Sequence, residues 1–389
     1  MSRRTRLLAV YASTPLVVLV LVGGLLGAAR PATGQQGFEH LPVFWDVVRH
    51  TLGAYVEPPD IEKVMDGAMR GLTDSLDPMS SYLTPADVRA VESGAALPDA
   101  DPGITVSKQF YLRVVGLRDN SPAARAGLRS GDFIREVDGV PTRDMSVHTA
   151  NRLLAGPAGS NVNLLVIRMN MAEPRPITVT REVPPATRAS GRRLPGGEPY
   201  LRVSSFGAGV TEQIKTAVSS LGTAANNGVI VDVRDVADGA PEAGVAAARL
   251  FVASGTLATL ASRTGAPVKS EAAAGDGALT MPLVLMVSNG TGHAAEVFAA
   301  ALADNKRASV VGVPTAGLAA TQTLVRLPEG HGMMLTTSRY VLADGTPIHA
   351  RGLRPETLVD VPVLPFDAPP PATDATLARA IEVLKALPR

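Results

Sequence analysis

The sequence predicts a multidomain chain of mixed α+β and α/β class: a helical N-terminal region, a β-rich module with two helices, and an α/β core. Three observations carry this. Apolar residues recur at helical spacing through residues 38–94. Between residue 103 and about residue 182 the pattern changes to short strand-length runs separated by turns. From residue 199 on, fully apolar strand-length runs alternate with helix-length segments. A length of 389 residues, 46% of them hydrophobic, suffices for two or three packed cores.

In chain order, "FEHLPVFWDVVRHTLGAYV" places Phe38, Leu41, Phe44, Val47, Val48 and Leu52 at helical spacing, and "PPDIEKVMDGAMRGLTDSL" continues as a second helix. Thr84-Pro85 then reads as a helix start, with a hydroxyl at the cap and proline at the first helical position. "ALPDADPG" is a loop opening the second module, residues 96–184. There "GITV" and "YLRVVGL" read as strands, "NSPAARAGLRSGD" as a short helix, and "FIREVDGVPT" as a strand turning at Asp138-Gly139. "SVHTANRLLAG" is a helix, and "NVNLLVIRMN" and "PITVTREV" pair as closing strands. "PPATRASGRRLPGGEP" reads as a linker into the core, residues 185–365. Core strands are "YLRVSSF", "GVIVDVRD", "MPLVLMVSNG" and "ASVVGVP", with helices at "VTEQIKTAVSSLGTAANN", "APEAGVAAARLFVASG" and "HAAEVFAAALADN". "GMMLTTSRYVLADGTPI" reads as a hairpin, and residues 366–389 as a proline-rich hinge with a short amphipathic helix.

Composition narrows the function. A net charge of +1 with few aromatic residues argues against a nucleic-acid partner. With no cysteine there is no disulfide, thiol nucleophile or thiolate metal site. At the N-terminus, residues 1–30, Arg3, Arg4 and Arg6 precede a largely apolar stretch from Leu7 to Ala29. Such a stretch serves as a membrane anchor or as a signal peptide cleaved near Ala28 or Ala29; either exports the remainder to the periplasm or another extracytoplasmic space.

The residues resemble the carboxyl-terminal processing peptidases, or tail-specific proteases. The resemblance rests on "FWDVVRHTLGAYVEPPD…DGAMRGLTDSLDPMSSYL", "DNSPAARAGLRSGDFIREVDGVPTRDMS", "GVIVDVRD", "NGTGHAAEVFAAALADNKRASVVGVPTAG" and "LTTSRYVLADGTPIHARGLRPE", and spans roughly residues 38–365. It implies an inserted PDZ domain on a protease core, acting through a serine nucleophile and a lysine base. Registered on Glu296, Asp304 and "VVGVPT", the serine position falls on His293 and the lysine position on Leu318, with Ala295 at a neighbouring serine. In the loop that contributes an oxyanion-stabilising amide, here "DVADG", Gly239 remains of a glycine pair and Asp238 replaces the other.

Acyl transfer needs an attacking atom and a proton acceptor. Leu318 cannot accept a proton, and a carboxylate at Asp238 opposes developing negative charge. The sequence therefore points to a non-cleaving protein that binds polypeptide C termini, unfolded proteins or a partner protease. The alternative is an active serine-type endopeptidase with a relocated nucleophile, for which Thr291 and Ser288 are the local hydroxyls. His293 and Glu296 lie one helical turn apart and could begin a metal site, but a third ligand is needed and only the distant His331 and His349 offer one, so no metal or other cofactor is assigned. For the PDZ domain the resemblance places peptide binding at Gly103, Ile104, Thr105 and Val106, preceded by an unusual Asp101-Pro102 in place of glycines.

Overall fold

The computed structural model describes residues 39–168, 173–368 and 371–387, and the chain divides into two units between Met65 and Asp66. The first unit holds helix α1 (Leu41–Ala54), which has no buried residue, and the start of α2 (Ile61–Asp74). The apolar stretch Leu7–Ala29 lies outside the described residues. Among the described residues no helix is long and apolar enough to cross a membrane.

The second unit begins with the rest of α2, strand β1 (Ser81–Leu83) and α3 (Pro85–Glu92). Thr84 and Asp87 close a reciprocal capping box at the start of α3, fixing that helix where its cap residue predicts. The expected purely helical region thus includes a strand. β1 is visible only through its partner, a strand some 250 residues later.

The β-rich domain follows: β2 (Ile104–Gln109), β3 (Tyr111–Leu117), α4 (Pro122–Arg125), β4 (Phe133–Val137), β5 (Val140–Pro141), α5 (Val147–Leu154), β6 (Asn161–Ile167) and β7 (Arg175–Thr180). The strand order is β2-β3-β4-β6-β7, with β5 beside β4, so β2 is an edge strand. Asp138 and Gly139, both at positive φ, make the β4–β5 turn. Leu112, Val114, Ile134, Val137, Leu164 and Val166 fill the core between sheet and helices.

The core is a six-stranded sheet, β8 (Ala189–Arg193), β9 (Pro199–Val203), β10 (Val229–Asp232), β13 (Leu283–Val287), β14 (Ser309–Gly312) and β17 (Thr357–Leu358), in the order β17-β14-β13-β10-β9-β8. All pairs are parallel except β8–β9. The predicted linker therefore contributes an antiparallel edge strand, whose mixed side chains carry no strand period. Apolar residues on both faces mark the inner strands as buried on both sides. One face packs on α6 (Val210–Ser220), α7 (Pro241–Ala248) and α8 (His293–Asp304), with Phe298 between Phe206 and Phe251. The other face, with Ile230, Val284, Met286 and Val311, packs on Ala380 and Leu384 of the C-terminal helix α9 (Ala375–Ala386). That helix is part of the core rather than an appendage beyond a hinge. α7 crosses α8 so closely that a β-carbon on Gly244 would sit 2.0 Å from the Ala294 carbonyl oxygen.

An antiparallel sheet completes the unit: β11 (Thr256–Ser262), β12 (Val268–Glu271), β15 (Ala320–Arg326) and β16 (Gly332–Val341), joined by β1. The predicted hairpin over 332–348 is chiefly one long strand, β16, whose hairpin partner is the preceding β15.

Candidate functional site

The central strand β13 ends in Ser288-Asn289-Gly290-Thr291-Gly292, which turns the chain into α8. The buried Thr291 hydroxyl donates to the Val233 carbonyl (2.9 Å) and accepts from the Ser288 amide (3.0 Å), and the Gly292 amide donates to Val236 (2.9 Å). These bonds tie the turn to the segment after β10 and deliver His293 as the first residue of α8. His293 holds φ 47°, a left-handed conformation unusual for a side chain other than glycine. Such strain costs on the order of 1–3 kcal/mol and persists only where the surroundings enforce it.

The structure packs Leu318 against the turn that leads into His293. Leu318 is 2% exposed and clusters with Val115, from the β-rich domain, and with Ala237. Its Cδ1 lies 3.5 Å from where a β-carbon on Gly292, next to His293, would stand. Glu296, one turn into α8, fixes the loop: its carboxylate accepts from the Thr315 hydroxyl and from the amides of Gly317 and Leu318, both at 2.7 Å. Burial outweighs these bonds and pushes its pKa up to about 7.

The His293–Glu296 pair therefore diverges, with Glu296 spent on the 315–318 loop. His331 stacks on Tyr82, its Nδ1 hydrogen-bonded to the Tyr82 hydroxyl. His349 is the one that approaches His293. Neither of its ring nitrogens has a hydrogen-bond partner, and Nε2 stands 3.8 Å from Asp77. Among the described residues no group of three ligating side chains could hold a metal. Burial raises the Asp77 carboxyl, but hydrogen bonds from the Ser80 hydroxyl and the Met79 and Ser80 amides outweigh it and hold its pKa well below the usual carboxylate range.

Burial, with the neighbouring His349, draws the His293 pKa down from 6.5 to about 4. His293 is thus neutral at neutral pH. The unfolded chain takes up this proton first as pH falls, so the contribution to stability is complete above pH 6.5 and is lost as pH falls through 4. Urea midpoints between pH 7 and pH 4 should fall more steeply for the wild-type chain than for His293→Ala; parallel profiles would contradict the assignment.

Residues 199–359 match the model for peptidase family S41, and residues 113–168 match a PDZ domain. A chloroplastic C-terminal processing peptidase of Tetradesmus obliquus is 30% identical over 330 residues, 80% of this chain and 71% of its own length. This chain belongs to peptidase family S41. A carboxy-terminal-processing protease of Bartonella bacilliformis is 28% identical over 335 residues, 85% of this chain and 77% of the relative. The solved photosystem II D1 C-terminal processing protease aligns with a TM-score of 0.67 at 28% identity, covering 83% of this chain and 88% of that one. The S41 family is one of serine-type peptidases, and both parts of its architecture here, PDZ domain and α/β core, are present.

Within this S41 core, several hydroxyls rest on carboxylates, and each also accepts from a backbone amide. Thr315 donates to Glu296 and accepts from Leu353 (2.7 Å). Ser288 donates to Asp235 (3.1 Å) and accepts from Asp235 and Gly290 amides (2.9 and 3.1 Å). Ser80 donates to Asp77 (2.7 Å) and accepts from Thr336 (3.1 Å). Ser205 donates to Asp238 and accepts from Gly207 (3.1 Å). Asp238 also accepts from the Phe206 amide (3.1 Å), so its charge is anchored to the segment after β9, while Gly239 follows at φ 82°.

The PDZ domain docks on the core by the Leu117 amide to the Asp235 carbonyl (3.0 Å) and Ser130 to the Asp235 carboxylate (2.8 Å). In the stretch expected to bind peptide, Gly103 leads into the β2 edge of Ile104, Thr105 and Val106. At the other end of that edge, the Lys108 amide donates to Pro78 (3.0 Å) and the buried Lys108 ammonium pairs with Asp74 (3.3 Å). Sequence reasoning missed Val115, Asp77 and Pro78. Nothing local marks them, because their roles come from contacts across domains.

Proposed function

We propose that this S41 chain is a non-cleaving member of the family, which binds polypeptide C termini, unfolded proteins or a partner protease through its PDZ domain. The observation that carries this is the chemistry at the α8 turn: an imidazole at position 293, which opens α8, and a sealed isobutyl group at position 318, packed against the Gly292 turn just before it. Neither supplies an alkoxide or an amine. Loss of a positioned base lowers a rate by roughly 10²–10⁴ and loss of a nucleophile by about 10⁶. Ser288, one of the local hydroxyls at this turn, supports the same reading, since it accepts from two backbone amides and has both lone pairs engaged. The strained φ of His293 favours the second reading, an endopeptidase with a divergent nucleophile, because such strain accumulates at reacting centres. The location proposed for the body of the chain is extracytoplasmic, following Leu7–Ala29.

A serine-reactive fluorophosphonate probe and an unfolded protein substrate separate the two readings. The expected result is no covalent label and no fragments. Labelling of one Ser or Thr, with turnover lost on its substitution, would establish the enzyme instead.

A further inference from the structure

The PDZ loop that should receive a peptide carboxylate already holds one. Asp101 bends back so that its carboxylate accepts from the Gly103 amide two residues on. The Arg118 guanidinium completes the arrangement, with its Nη2 and Nη1 at 2.9 and 3.3 Å from the two Asp101 oxygens. Carboxylate, amide and guanidinium thus satisfy one another.

The trio sits on a rigid frame. Asp101 exchanges backbone hydrogen bonds with Glu182 (3.2 and 3.0 Å), the Pro102 carbonyl accepts from Ala123 (3.0 Å), and the Gly103 carbonyl accepts from Arg118 (2.9 Å). Gly103 has φ 80°, and a β-carbon there would lie 2.2 Å from Ser121 Cβ, so only glycine fits. The backbone is fixed, but the acidic side chain is not sealed in: its side chain is 36% exposed and that of Arg118 is 18% exposed. A solvent-borne carboxylate can therefore exchange with it. A peptide C terminus presents the same chemical group, and the donors it needs are the ones Asp101 uses.

Resting on the reading of this domain as a C-terminus receptor, we propose that Asp101 is an internal competitor for the carboxylate cradle. A polypeptide C terminus binds by displacing Asp101 from the Gly103 amide and from Arg118, and Asp101 thereby sets affinity and the premium placed on a free terminus. Chains that present an internal segment to the β2 edge do not need the exchange and are spared its cost.

The test uses the full chain and a fluorescein-labelled decapeptide ending in an apolar residue, as free acid and as C-terminal amide. Fluorescence anisotropy should show Asp101→Ala binding the free acid about tenfold more tightly than wild type, the order set by one charge-assisted hydrogen bond, with amide binding unchanged. Asp101→Asn should fall between, because it keeps an acceptor for Gly103 but releases Arg118. Arg118→Gln should reduce free-acid binding to the level of the amide. Free-acid binding by wild type with no tightening in either Asp101 variant overturns the competitor and leaves the receptor standing. No binding of either peptide by any variant overturns both. If Asp101→Ala loses its circular dichroism signal, the Gly103 amide resonance of the wild-type chain decides: a shift saturating with free acid but absent with amide supports displacement, and an unmoved resonance at saturating free acid overturns it.

Discussion

A His293→Ser, Leu318→Lys double variant is expected to remain within about tenfold of the wild-type background in peptide hydrolysis, although the two groups it restores are together worth many orders of magnitude in rate. The reason is the surroundings of position 318. Leu318 is closed between Val115 of the PDZ domain, Ala237 and the Gly292 turn. A lysine there must either leave its charge in an apolar contact or push the PDZ domain off the core. Neither restores a base beside an open substrate path. The 235–239 loop adds a second obstacle, since Asp238 brings a carboxylate to a loop expected to stabilise an oxyanion. Adding Val115→Gly, to make room for the lysine, should help more than adding Asp238→Gly if packing dominates. Continuous assay with an unfolded substrate checks this. A rise of a thousandfold or more in the double variant alone would mean that the site needs only its two side chains.

Arg168→Met should destabilise the PDZ domain by about 3–5 kcal/mol. Arg168 and Asp132 are 3% and 2% exposed and meet through two bonds, Nε to Oδ1 at 2.7 Å and Nη2 to Oδ2 at 2.8 Å. Arg168 also donates to the Gly127 carbonyl (2.8 Å) and lies 4.0 Å over the Phe366 ring. Without it, the hydrogen bond left to the Asp132 carboxylate among the described residues is the Arg129 amide (2.9 Å), with the Arg129 guanidinium near enough to interact but not to replace the lost pair. Hydrogen exchange in β4 and β6 should accelerate about a hundredfold or more, while β10 and β13 in the core hold their protection. Arg168→Met with Asp132→Leu should regain much of the loss, because an apolar pair carries no desolvation cost. Equal exchange in wild type and single variant would show that the pair contributes little.

The elements legible in the sequence share a physical property: their signal is local. The Thr84-Pro85 helix start, the Asp138-Gly139 turn and the doubly apolar strands β10 and β13 each contain their own cause within a few residues. β1, β8 and β15 do not, since short strands with mixed side chains are stabilised by pairing with partners that chain topology supplies. The site divides the same way. Registration by Glu296, Asp304 and the 310–315 strand and loop was enough to place an imidazole and a leucine where chemistry was expected. That Glu296 staples the Leu318 loop, that His349 rather than His331 lies near His293, and that Asp101 holds the Gly103 amide and Arg118 follow only from the folded chain.

The sequence by itself determined which atoms are present at the site, and so which reactions lack a reagent, because covalent identity does not depend on folding. Only the tertiary structure decided which donors already have acceptors. Hydrogen-bond saturation and burial depend on residues remote in the chain, such as Val115 over Leu318 and Arg118 on Asp101, and no local pattern encodes a contact between segments that meet only after the domains have packed.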